Sequence, residues 1–327
     1  MILVLSSQDD MSTNDVLDWL FYYQVDFLRI SNQDTIRYQN LIINANGFDV
    51  ALSINDKEYL LSDFTAFWYR RSHYKIFFDK IEGVSELTNQ INAHCANETN
   101  EIHKIVTKYI EDRSLNKYGD IYLNKLEVLN VATRMGLKIP DTLITTKKSD
   151  LEKFYKKHKS VVTKNFSPGV FIFNQNEVFS SFTKVVTKDI LNEIPSEFML
   201  SLFQENIDKI FEIRLFFIED KFYSSAIFSQ NDDKTKVDFR DYNFEKPNRT
   251  PPFYLDEKVK KKLIKTMNHL GLNSGSIDML VTNNNEYIFL EVNPIGQFSQ
   301  VSIPCNYYIE DIIAKYLIKH KNAERRI

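Results

Sequence analysis

Asp278-Met279-Leu280-Val281-Thr282-Asn283-Asn284-Asn285-Glu286-Tyr287-Ile288-Phe289-Leu290-Glu291-Val292-Asn293-Pro294 reads as two strands joined by a tight turn. Apolar runs flank three consecutive asparagines, which tolerate the left-handed backbone that tight turns need. With Asn284-Asn285 as a two-residue turn, Asn283 pairs with Glu286 and Asp278 falls opposite Glu291. Side chains at i and i+2 share a strand face, so Asn293 joins Glu291. Directly opposed Cβ atoms lie roughly 5 Å apart, and two carboxylates so placed repel unless a cation lies between them. Three oxygen donors on one face suit Mg²⁺, which keeps waters and takes other ligands from phosphates. Taken alone, the same pattern also fits a solvated strand face, so the surrounding chain has to decide.

Working outward, Lys164 ends the apolar run Val161-Val162-Thr163 and leads into Asn165-Phe166-Ser167-Pro168-Gly169. A lysine before a turn of small residues with free N–H groups can hold polyphosphate oxygens, although an exposed strand-end lysine looks the same. Lys125 falls in the first turn of a helix that Asn124 can cap, with Glu127 completing a box-like pair. Gly136 suits the C′ position of that helix, and Pro140 lies just beyond. Arg214 sits mid-strand in Glu212-Ile213-Arg214-Leu215-Phe216-Phe217-Ile218, where a charge needs a partner, either Glu212 or a neighbouring strand. Arg240 and Arg249 bracket a Pro-containing loop.

The first part of the chain alternates strand and helix. Ile2 to Leu5, Phe27 to Ile30 and Ala66 to Tyr69 are short buried-strand runs, the last ending in Arg70-Arg71. Ser12 followed by Asp15 resembles a helix start. Ile42 to Ser53 with Tyr59 to Leu61 read as a hairpin or edge strands, and residues 85–113 as a helix with Ile102, Ile105, Val106, Tyr109 and Ile110 on one face. Further on come strands at Asp141 to Thr145 and Ser160 to Lys164 around a helix from Lys148 to His158. A Phe-rich hairpin turns at Asn174-Gln175-Asn176, and strands dominate from about residue 199.

The totals narrow the function. At 327 residues the chain is too long for one core and suits two or three packed subdomains. A net charge of −3 gives no electrostatic case for a nucleic-acid partner. No apolar run reaches membrane-spanning length and the short start is no signal peptide, so a cytoplasmic protein is expected. Two cysteines form no framework, and six histidines never pair at i, i+3 or i+4, a spacing that offers no zinc site.

The order of parts says more than any one of them. Lys125, Lys164 with its Ser-Pro-Gly turn, Gln204-Glu205-Asn206-Ile207, Glu212-Ile213-Arg214, Asp278, then Glu291-Val292-Asn293-Pro294 resembles the ATP-grasp superfamily over about 120–300. The resemblance implies an α/β (α+β) architecture: a pre-ATP-grasp domain over 1–122, a lid over 123–204, and a mainly antiparallel C-terminal sheet domain over 205–327. It also implies ATP and Mg²⁺, with two ions. Lys125 and Lys164 would bind phosphates, and Gln204 to Ile207 would be the hinge whose backbone meets adenine, with Glu205 or Asp208 toward the adenosine. Asp278, Glu291 and Asn293 would hold magnesium, and Arg214, with Arg240, would steady an acyl phosphate.

The N-terminal stretches narrow this further. Ile2-Leu3-Val4-Leu5-Ser6, Phe67-Trp68-Tyr69-Arg70-Arg71, Asn124-Lys125-Leu126 and Val237-Asp238-Phe239-Arg240-Asp241-Tyr242 resemble the peptide maturases of graspetide (microviridin-type) pathways, particularly the grasp-with-spasm branch. That resemblance implies a ribosomal precursor peptide (leader plus core) as partner, joined through Asp or Glu to Thr, Ser or Lys side chains, and a homodimer. Two other activities share the ATP residues: an amino-acid ligase of glutamylase or glutathione-synthetase type, and a non-catalytic ATP-binding regulator.

Overall fold

The computed structural model describes the chain except residues 46, 73, 168–170, 175–176, 181–182, 233–234, 240–242 and 324–327. It divides into two compact units, Met1–Ile121 with Tyr308–Ile327, and Tyr122–Tyr307.

The first unit is built on a parallel sheet ordered β2-β1-β6-β8, from β1 (Ile2–Ser6), β2 (Phe27–Ile30), β6 (Ala66–Arg70) and β8 (Ser114–Leu115). Both faces of β1 and β6 are buried, which explains their unbroken apolar sequence. Between β2 and β6 the chain forms β3 (Thr35–Asn44), β4 (Gly47–Ile54) and β5 (Lys57–Leu60), an antiparallel meander whose β3 also pairs with β7 (Lys75–Ile76). Helix α1 (Met11–Tyr22) begins earlier than the Ser12-Asp15 pattern implies. Its N-cap is Asp10, whose side chain accepts from the Thr13 N–H, while the Ser12 hydroxyl donates to Asp10. Arg70 is 2% exposed and donates to the Ser12 hydroxyl, so this strand-end arginine is built into the unit's interior. Helix α2 (Glu86–Glu111) buries Val106 and Ile110, and the Tyr38 hydroxyl lies 2.9 Å from His103 Nδ1. The C-terminal helix Ile309–Ala323 returns to this unit, where Asp311 accepts a 2.7 Å hydrogen bond from Tyr23.

The second unit carries two sheets. Helix α3 (Lys125–Arg134) starts as its sequence dictates, with Asn124 Oδ1 accepting from the Leu126 and Glu127 N–H groups, and Gly136 beyond it takes φ +82°. Strand β9 (Thr142–Lys147), helix α4 (Lys148–His158) and β10 (Val161–Lys164) follow. A hairpin comes next, β11 (Phe171–Asn174) with β12 (Glu177–Ser180); turn residues Gln175 and Asn176 lie outside the described residues. After β13 (Lys184–Val185), helix α5 (Lys188–Glu193) and β14 (Glu197–Glu205) the first sheet closes in the order β13-β10-β14-β9. Leu151, Val161, Val186 and Phe203 form its core.

The second sheet runs β16-β15-β17-β18, all antiparallel, from β15 (Lys209–Ile218), β16 (Lys221–Ile227), β17 (Ser274–Thr282) and β18 (Tyr287–Asn293). One face is the unit's largest core. Ile213, Leu215, Phe217, Ile277, Met279, Val281, Phe289 and Val292 pack on Val128, Leu129 and Ala132 of α3 and on Leu263 and Met267 of α6 (Glu257–His269). Each such side chain contributes about 1.5–3 kcal/mol of burial free energy. Beside the strands expected from about residue 199, helices lie in this stretch that the sequence reading did not name: α6, α7 (Ser299–Cys305) and the C-terminal helix. Helix α6 hides its period because Val259, Leu263 and Met267 are spaced among lysines, and Asp256 supplies the cap.

Candidate active site

Because one face of the β16-β15-β17-β18 sheet is core, the alternate side chains of its strands point the other way. There Ser225, Arg214, Asp278 and Glu291 stand in one row across four strands. Arg214 Nη1 donates to both Asp278 carboxylate oxygens at 2.8 and 2.7 Å, and Nη2 reaches the Gln297 carbonyl at 3.3 Å. Lys125 Nζ, from the first turn of α3, lies 3.2 Å from Glu291 Oε2. The two opposed carboxylates are thus flanked by cations, in the order arginine, aspartate, glutamate, lysine. Asn293 opposes Ser276 two residues further along the same face, and is exposed. These oxygen donors fit a hard divalent cation, since each carboxylate oxygen keeps lone pairs beyond the one its basic neighbour uses.

The Asp278–Glu291 pairing is reached by a different route from the simple count. The connection is three residues long, with the Thr282 N–H donating to the Glu286 carbonyl and Asn285 at φ +58°. In that register Met279 faces Phe289, and Asp278 would face Leu290. A bulge between Asp278 and Met279 shifts the pairing by one, so Asp278 faces Glu291. Phe289 and Val292 stay in the core while Leu290 and Glu291 both line the pocket. Downstream, the Gly296 N–H donates to the Asn293 carbonyl at 3.1 Å. A Cβ at Gly296 would lie 2.5 Å from the Ser276 side chain, so only glycine lets this turn close on β17.

The pocket beside this row is lined by Lys164, Gln204, Glu205, Asn206, Ile207, Lys209, Glu212, Asp238, Asp278, Leu280, Leu290 and Glu291, among others. Lys164 enters from the end of β10. Gln204 is 2% exposed and donates to the Thr142 hydroxyl at 2.9 Å. Asn206 is anchored twice to Ser160, by its N–H to the carbonyl and by its side chain to the hydroxyl. The segment joining the two sheets is thereby anchored at Gln204 and Asn206. Asp208, expected beside it, is exposed and is not among the lining residues. Arg240 lies outside the described residues, as do Pro168 and Gly169 of the turn after Lys164.

The structure gives a place in the site to two residues to which the sequence assigned no site role, Glu212 and Lys209. Glu212, two residues from Arg214 on the same face, is 5% exposed, and it bonds Lys209 Nζ at 2.7 Å and the Ser229 hydroxyl at 2.9 Å. Burial pushes its carboxyl above the ordinary carboxylate range, against the pull of Lys209 and Ser229. Of the two partners open to Arg214 in the sequence, the neighbouring strand supplies the one it takes. The lysine at 209 carried a usable signal: three residues before Glu212, it spans the irregular start of β15.

A family model described as the RimK-like ATP-grasp domain matches residues 123–317. No curated protein matches the chain. The chain is similar in structure to the Chryseobacterium gregarium RiPP-associated ATP-grasp ligase in complex with ADP and a leader and core peptide (TM-score 0.77, 22% identity, 97% of this chain and 96% of that one). It is also similar to the macrocyclase MdnC from Microcystis aeruginosa MRC, bound with precursor peptide MdnA (TM-score 0.72, 25% identity, 98% and 100%). More distantly it resembles D-alanyl-alanine synthetase A from Vibrio cholerae (TM-score 0.51, 13% identity, 98% of both chains). With the family model covering more than half its length, this chain belongs to the RimK-like ATP-grasp family.

Proposed function

We propose that this ATP-grasp ligase matures a ribosomally made precursor peptide. It activates Asp or Glu side chains as acyl phosphates and joins them to Thr, Ser or Lys side chains, giving macrocyclic esters or amides. The observation that carries the reading is the row Arg214–Asp278–Glu291–Lys125 bordering a pocket that also holds Lys164 and the segment Gln204 to Ile207. Its support for a peptide substrate is the likeness to two enzymes whose structures contain leader, core or precursor peptides.

Within the second unit, residues 123–204 act as the lid and the sheet from 205 onward as the platform, with 1–122 as the pre-ATP-grasp domain. Lys125 and Lys164 hold phosphate oxygens, and the backbone of Gln204 to Ile207 meets adenine with Glu205 or Asp208 toward the adenosine. Asp278, Glu291 and Asn293 would hold magnesium, as two ions, which would supply charge neutralisation to the β- and γ-phosphates. A substrate carboxylate oxygen attacks the γ-phosphorus and ADP departs. A hydroxyl or amine of the same peptide then attacks the acyl carbon, loses its proton, and phosphate leaves. Arg214 and Arg240 stabilise the developing negative charge, a contact worth about 3 kcal/mol, or roughly a hundredfold in rate. Lid closure keeps water from the acyl phosphate. The reading includes a homodimer working in the cytoplasm; among the described residues no helix is long and apolar enough to cross a membrane.

The test is the intact mass of a precursor peptide encoded beside this chain, co-expressed with and without it. Loss of one water per bond is the expected result. Gain of an amino-acid residue would replace this reading with an amino-acid ligase, and an unchanged mass with ATP still bound would replace it with a regulator.

A further inference from the structure

At the base of the second unit's first sheet, three side chains converge from separate elements. Asp141 precedes β9, His158 ends α4 and Glu205 ends β14. One nitrogen of His158 and one oxygen from each carboxylate lie within 4.8 Å of one another, the only such group of His, Cys, Asp or Glu among the described residues. The imidazole is held between the acids, with Nε2 3.2 Å from Asp141 Oδ2 and Nδ1 3.7 Å from Glu205 Oε1. Its side chain is only 7% exposed and packs on the Phe154 ring, with centroids 4.5 Å apart. Nε2 is buried from water and makes no hydrogen bond, although Asp141 Oδ2 lies 3.2 Å away. The contact is therefore electrostatic and leaves the nitrogen without an aligned partner.

We infer that Asp141, His158 and Glu205 form a site for a zinc-class divalent cation, distinct from the magnesium ligands and in competition with nucleotide for Glu205. One ring nitrogen of His158 with the two carboxylates gives the donors of a three-ligand zinc site that keeps a fourth, open position for water, the acid at the other nitrogen turning toward the shared cation. The imidazole separates this site from the all-oxygen row at Asp278 and Glu291, since nitrogen donors favour zinc over magnesium. Backbone geometry fixes the outer two ligands: the Glu205 N–H donates to the Asp141 carbonyl at 3.0 Å, so the two residues move together. Asp141 is now held by Lys157 Nζ at 2.6 Å. Lys157 is two-thirds exposed on the last turn of α4, so it can swing into solvent when a cation takes its place.

The consequence lies in Glu205, which lines the pocket as well as the cluster. A carboxylate drawn onto zinc leaves the pocket, and by linkage nucleotide and zinc weaken one another equally. The zinc site stands on its own residues; the coupling rests on the proposed reading of this pocket as the nucleotide site.

The experiment is calorimetric titration of ZnCl₂ into the nucleotide-free chain, wild type against His158→Asn and Asp141→Asn, with Co²⁺ absorption as a second readout. Loss of even an outer contact to a metal ligand costs 10–100-fold, so loss of a ligand should weaken this site by at least about a hundredfold. Both variants should retain the melting temperature of the wild type measured in EDTA. The site is overturned if wild type and both variants give the same isotherm. ADP titrations then test the coupling: one equivalent of Zn²⁺ should weaken ADP in the wild type and leave it unchanged in His158→Asn. ADP binding that ignores bound zinc overturns the coupling. An absence of ADP binding in every protein would instead sink the nucleotide reading, while the zinc isotherms still decide the site.

Discussion

Two ion pairs in one row of the same sheet differ in almost every physical respect. Arg214–Asp278 joins adjacent strands β15 and β17, with side chains 10% and 11% exposed and both carboxylate oxygens engaged. Lys125–Glu291 joins a helix to β18 at 3.2 Å, with side chains 36% and 21% exposed. The first pair is desolvated, so removing either member strips a buried charge of a close counter-ion. The second is half-solvated, and an exposed pair is worth only about 0–1 kcal/mol. The difference implies a division of labour. Arg214–Asp278 fixes where the row lies, in addition to the roles proposed for its two members, whereas Lys125 and Glu291 are held more loosely, as the proposed exchange of their contact for phosphate and metal requires.

Breaking the framework pair should have the largest effect. Arg214→Ala removes the guanidinium that bonds both oxygens of the buried Asp278 carboxylate and should cost about 3–5 kcal/mol in urea unfolding. A loss below about 1 kcal/mol would show that the pair is not structural and would dissolve the contrast. Glu291→Gln should lie at the opposite pole for stability, changing unfolding by about 1 kcal/mol or less. It should nonetheless abolish ADP release from ATP and Mg²⁺. Near-normal ADP release would remove Glu291 from the metal set.

Much of this arrangement was legible in the sequence, and the exceptions have physical causes. Period-two spacing and the asparagine turn placed Asp278, Glu291 and Asn293 on one face because side-chain alternation is a local property of strands. The turn itself was misread by one residue, and the bulge beside Met279 cancelled the error. Bulges depend on packing from both sides of the sheet, here Phe289 and Val292 in the core against Leu290 and Glu291 in the pocket, and no local pattern announces that. Arg214's partner was left open for a related reason: lateral neighbours come from strands 64 residues apart in sequence. The helix Glu257–His269 went unread because its apolar stripe is thin and lysine-rich. The return of helix Ile309–Ala323 to the first unit is a long-range contact that amphipathic spacing does not encode. The cluster of Asp141, His158 and Glu205 was invisible for the same reason, since its members are brought together by three different elements.

The smallest predicted effect sharpens the comparison by adding a third acid of intermediate kind. Glu212 is as buried as Asp278, yet its cation is Lys209, three residues away on the same strand, and its neighbour across the sheet is Leu280. Burial raises its pKa above the ordinary 4.5, with Lys209 and Ser229 opposing the shift and Asp278 adding to it. A raised pKa means that the folded chain binds this proton more tightly than the unfolded chain. The stability it contributes is therefore fully present below about pH 4.5, and is lost as pH rises through the folded-state value. Glu212→Gln has no proton to lose, so wild type should gain stability relative to the variant as pH falls from 7 toward 4. Urea unfolding of both proteins across that range reads the difference directly. A gap independent of pH would mean that Lys209 compensates Glu212 fully, placing it with Arg214–Asp278 as framework. A gap that closes toward low pH would instead mark Glu212 as the one acid on this face whose charge the fold tolerates only in part.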